Sequence, residues 1–112
     1  MLLEVHERMQ LLQLLPPEGT YEALKTIRRQ REMLSFQPDE IKILELKSVT
    51  NPDGSVANSW NGKNAPKVVK DIPIDEYMTG VFRKKLAQKE EEGKLNDTLT
   101  SLYEKFILIG FK

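Results

Sequence analysis

A chain of 112 residues, 39% apolar and 30% charged, has the makeup of one globular domain with room for a modest core and little for an elaborate active site. Its 17 basic and 17 acidic side chains cancel, which argues against a dedicated nucleic-acid binder while leaving room for a local basic patch. The absence of cysteine excludes disulfides, thiol nucleophiles and thiolate metal sites and fits a reducing compartment.

Val5, Met9, Leu12 and Leu15 recur at helical spacing and predict a first helix, stopped by Pro16 and Pro17. Gly19 loosens the loop, and Thr20 is a good N-cap for a second helix that runs to about Ser35, with Leu24, Ile27 and Leu34 on one stripe. Pro38, Asp39 and Glu40 read as a helical first turn, with proline at N1 and acids near the positive end of the dipole. Leu44, Leu46 and Ser48 then alternate with Glu45 and Lys47, which predicts a strand with one buried face. The NPDG stretch from Asn51 to Gly54 is a turn signal, and Val56 to Trp60 return as the second strand of a hairpin. After a loop, Val68, Ile72 and Ile74 predict a third strand, placed at a sheet edge by Pro73.

Asp75 caps a long helix reaching Glu92, with Gly93 at C′. Asn96 or Asp97 caps the last helix, whose stripe is Leu95, Leu99, Leu102, Tyr103 and Phe106. The apolar tail from Phe106 to Phe111 needs a surface to cover it, either the first helix or another copy, and the second case predicts a homo-oligomer. The fold expected is α+β: two N-terminal helices, a small antiparallel sheet with a hairpin, and two C-terminal helices, all in a single domain over 1–112. No apolar run is long enough to span a bilayer, and the charges after Leu3 break any signal-peptide pattern. A soluble protein of the cytoplasm, without membrane contact, is expected.

The strongest chemical signal is TIRRQREML, Thr26 to Leu34. Lys25, Arg29 and Glu32 fall on the outward face, and Arg28 can pair with Glu32. Arg31 is placed differently, between Ile27 and Leu34 on the apolar stripe. Lys85 repeats the oddity inside the stripe of Tyr77, Met78, Val81, Phe82 and Leu86, with Lys89 at its margin. A cation so placed must pair, snorkel along its alkyl stem, or face an anion. A shared cationic pocket would suit phosphate or carboxylate. Trp60, the single tryptophan, either stacks on a base, anchors a partner, or covers the core where the hairpin ends. The candidate ligand-binding residues are therefore Arg28, Arg31, Lys85, Lys89 and Trp60. His6 is the only histidine, and the carboxylates of Asp39–Glu40 and Glu90–Glu92 have no acid–base partner at a fixed spacing. Phosphate-loop and nucleophile-elbow motifs are absent. No catalytic residue, metal or cofactor is assigned, and no enzymatic activity is expected.

LLPPEGTYEALKTIRRQREMLSF (residues 14–36) and EEEGKLNDTLTSLYEKF (residues 90–106) resemble a pattern of small bacteriophage and prophage proteins. There, a leucine-rich start and a glycine loop precede LKxIRxxREMLSF, a hairpin ending in Trp-Asn follows, and EGKL…LYEKF closes the chain. The matching residues determine a fold and carry no catalytic signature, so no functional residue carries over. The resemblance implies a viral context. Within it the reading is a non-enzymatic accessory binding protein that inhibits or sequesters a host component, either a host-defence protein or a small phosphorylated signal. A virion or assembly protein acting by self-association is the alternative, and a nucleic-acid-binding modulator is a third.

Overall fold

Capping chemistry fixes most of the helix starts. The computed structural model describes residues 1–108, with helices α1 (Val5–Leu14), α2 (Tyr21–Leu34), α3 (Pro38–Leu44), α4 (Glu76–Glu91) and α5 (Asp97–Tyr103). Thr20 accepts from the Ala23 N–H, Asp75 from the Tyr77 and Met78 N–H groups, and Asn96 from the Leu99 N–H. At α1 and α3 the N3 residue reaches back instead. Glu7 accepts from the Glu4 N–H at 2.9 Å, and Glu40 from the Gln37 N–H at 2.9 Å. Glu45 ends α3 with φ of 53°, and the Leu46 N–H closes back on the Ile41 carbonyl at 3.1 Å. Gly93, with φ of 67°, ends α4.

The fold class is the expected α+β, but its strands are rearranged. Leu44 belongs to α3, so the hairpin starts only at β2 (Lys47–Thr50) and returns as β3 (Val56–Ser59). All eight of its strand residues are exposed, and the buried face predicted for this strand does not exist. The pleat alternates here without a core on either side. The third expected strand shrinks to β4 (Lys70–Asp71), preceded by a 3₁₀ turn at Ala65–Val68. It pairs with β1 (Leu2–Leu3) rather than with the hairpin, giving two separate two-stranded sheets.

α1 packs against α2, α4 and α5. The main core joins Leu11 and Leu14 of α1 to Ile27, Leu34, Met78, Phe82, Leu86, Leu99 and Leu102, and Phe106 meets Phe82 edge to face at 5.6 Å. The stripe expected on α1 is thus rotated. Met9 and Leu12 are half-buried, while Glu7 and Arg8 are fully enclosed. A smaller second core gathers Val5, Leu44 and Val68 with Phe36, Leu46, Trp60 and Ala65. After α5 the chain widens into a π-helical turn, Glu104–Leu108. The rest of the apolar tail, on which the homo-oligomer expectation rests, lies outside the described residues. No helix among the described residues is long and apolar enough to cross a membrane.

Candidate functional site

The hairpin is gripped at its root and bare along its length. Leu46 and Trp60 flank its two strands and both pack into the second core. The Asn61 N–H donates to the Leu44 carbonyl at 2.7 Å, and its side-chain amide donates to Glu45 at 2.8 Å. Asn64 donates to the Ile43 carbonyl at 2.8 Å. At the far end the Gly54 N–H closes on the Asn51 carbonyl at 2.9 Å, with Gly54 at φ of 89°, and Asp53 accepts from both the backbone and the hydroxyl of Ser55. Those bonds hold the exposed Asp53 carboxyl below its ordinary value. Between root and tip, Val49 faces Ala57 and Thr50 faces Val56, so each side of the ribbon presents one valine. Val49 is 53% exposed and Val56 61%. Among the described residues no further strand pairs with either edge.

Behind the root lies a buried ion pair. The Arg8 guanidinium, 0% exposed, donates to both oxygens of Glu40 at 2.6 and 3.2 Å. It also donates to the Leu34 and Ser35 carbonyls at 3.2 and 2.8 Å and stacks on the Phe36 ring at 3.9 Å. Arg8 thereby takes up the orphan carbonyls at the end of α2 and binds them to the start of α3. Burial pushes the Glu40 carboxyl up, but the bonds from Arg8 and the Gln37 N–H outweigh it and hold the group below the ordinary 4.5. Glu7 makes the second pair. It accepts from Ser101, from Lys105 at 2.6 Å and from the Glu4 N–H. Here too burial raises the carboxyl and the hydrogen bonds outweigh it, leaving it lowered. Lys105 also donates to the Leu2 carbonyl at 2.9 Å, so this cluster ties α5 to α1 and β1. Every buried side-chain polar atom among the described residues has a partner. Both carboxylates are consumed by structure: their oxygens already hold cations and helix caps.

The residues proposed from the sequence scatter over the surface. Arg28 and Arg31 are exposed on α2. The buried line of that helix is Ile27, Gln30 and Leu34, because the Gln30 amide bridges the Pro73 carbonyl and the Asp75 N–H at 3.1 and 2.8 Å. That pull turns Gln30 inward and leaves Arg31 outside, which corrects its placement on the apolar stripe. Lys85 and Lys89 do come together. Both are half-buried and line one depression of about 310 Å³ with Gln13, Leu14, Gln88 and Glu92. Arg31 takes no part in that lining. Trp60 is the root of the hairpin and serves to position it.

Sequence reasoning missed Glu7, Arg8, Ser101 and Lys105, and placed Glu40 in a helical first turn without its ion pair. A signal for three of them existed: Glu7 and Glu40 sit three residues after an N-cap, and Arg8 is one turn from Leu11 and two from Leu15. Among the described residues no group of three His, Asp or Glu side chains is placed to hold a metal ion. No protein-family model, curated protein or solved structure matches the chain.

Proposed function

We propose that the protein is a non-enzymatic accessory binding protein of the phage kind, which docks on a host protein in the host cytoplasm through the hairpin Lys47–Ser59 and inhibits or sequesters it. One observation carries this reading: all eight paired strand residues are exposed, while their root is clamped by Trp60, Leu46 and Asn61. An isolated two-stranded ribbon is marginal in water, and its open edges are templates for another strand. The ribbon carries one lysine, Lys47, and one aspartate, Asp53, so a partner finds no net charge to recognise. Main-chain pairing with an extended host segment supplies the contact, with Val49 and Val56 giving the side-chain register.

The test is purification from the host followed by native mass spectrometry of wild type, Val49→Lys/Val56→Lys, and Arg28→Gln/Arg31→Gln. The expected result is one host protein held at fixed stoichiometry by wild type and by the arginine variant, and lost from the valine variant. Retention by the valine variant overturns the reading. A large homo-assembly that the valine substitutions dissolve moves the assignment to a virion or assembly protein.

A further inference from the structure

Four lysine or arginine side chains among the described residues are not exposed: Arg8, Lys85, Lys89 and Lys105. The fold pairs two of them, Arg8 with Glu40 and Lys105 with Glu7. The side chains of Lys85 and Lys89 have neither an ion-pair partner nor a hydrogen bond among the described residues, although they stand one helical turn apart on the same face of α4. Two ammonium groups one helical turn apart repel each other, and an anion held between them relieves that repulsion.

Their surroundings can accommodate one. The depression of about 310 Å³ between α1 and α4 is also lined by Gln13 and Gln88, whose carboxamides can donate to an anion, and by Leu14. Its single carboxylate, Glu92, is engaged by Lys94 at 3.1 Å. We infer that this depression is an anion site for a phosphoryl group, two ammonium charges matching a dianion and two amides completing its hydrogen bonds. Lysine serves phosphate as a point charge without requiring the planar fork that a carboxylate rewards. The volume admits a phosphate carrying a short substituent, a small phosphomonoester, and the site is independent of the hairpin reading. The two lysines also lie by the C-terminal end of α1, whose last turn has no basic residue of its own, so a purely structural role against the helix dipole is the competing account.

Amide chemical-shift titration with inorganic phosphate, ribose 5-phosphate and chloride at matched ionic strength separates the two. Saturable shifts at Gln13, Lys85, Gln88 and Lys89 with either phosphate are expected, at about tenfold lower concentration than any chloride effect. They should weaken about tenfold or more in Lys85→Gln/Lys89→Gln and persist in Arg28→Gln/Arg31→Gln. Tighter binding of the sugar phosphate assigns the site to a phosphomonoester, and equal binding assigns it to the free ion; both support the anion site. Equal responses to phosphate and chloride, or a lysine variant that responds as wild type, overturn it. So does a lysine variant whose only change is a lower melting temperature, which assigns the pair to the helix end.

Discussion

Glu7 and Arg8 are charged and wholly enclosed, whereas Val49 and Val56 are apolar and more than half exposed. The first pair sits where helices meet. Arg8 holds the end of α2 to the start of α3, and Glu7 holds α5 to α1, each with every hydrogen-bonding group answered. The second pair sits on a ribbon that buries nothing. In the helical body, enclosed charge is offset by geometry that leaves no group unpaired. In the hairpin, backbone order is held by the ladder, the turn and the packed root, and the exposed strands are the feature on which the proposed docking rests. The contrast separates the part of the molecule that holds its fold together from the part that the fold leaves uncovered.

The sharpest way to break this contrast is to strand one member of the buried pair. Arg8→Met leaves Glu40 enclosed without its cation and should cost about 3–5 kcal/mol in urea unfolding, whereas Arg8→Met with Glu40→Leu should recover much of it. A loss below about 1 kcal/mol for the single variant would mean that water reaches Glu40. Acid acts on both clusters together. The folded-state values of Glu7 and Glu40 are depressed, so their contribution is complete above the ordinary value of 4.5 and is lost as pH falls through the lower folded values. Urea midpoints should hold steady from neutral pH to about 4.5 and then fall; a decline beginning well above that value contradicts the pairing.

Trp60→Ala sharpens the comparison at its boundary. Trp60 is half-buried, so a loss of about 2 kcal/mol is expected, below the 3–5 typical of a fully buried aromatic. Hydrogen exchange of the Lys47–Ser59 amides should quicken most in that variant, while the amides of α4 quicken no more than the loss of global stability dictates. The smallest stability effect belongs to Val49→Lys/Val56→Lys, within about 0.5 kcal/mol of wild type because both side chains are more than half exposed. A loss above about 2 kcal/mol in thermal melting would show that the valines stabilise the free protein and would remove the case for a partner.

The starts of α2, α4 and α5, the end of α4 and the tip of the hairpin were legible because each depends on a cap or a turn within a few residues: Thr20, Asp75, Asn96, Gly93 and Gly54. The pairing of Lys85 with Lys89 was legible for the same reason, being a matter of one helical turn. Arg31 misled because it and Gln30 flank the same stripe, and the decision between them is made by the Pro73 carbonyl 43 residues away. The exposure of the hairpin was equally hidden, since period-two alternation reports a pleat and not what lies against it.

What the sequence determined by itself, then, is where the backbone turns, caps and changes from helix to ribbon, since those choices are made by φ and by side chains a few positions apart. Which side chains are enclosed was decided only by tertiary structure. Glu40 comes to Arg8 across 32 residues and Ser101 to Glu7 across 94, and β1 finds β4 from the opposite part of the chain. A buried charge is tolerable only once its distant partner has arrived, so its burial is a property of the assembled fold and of no local stretch.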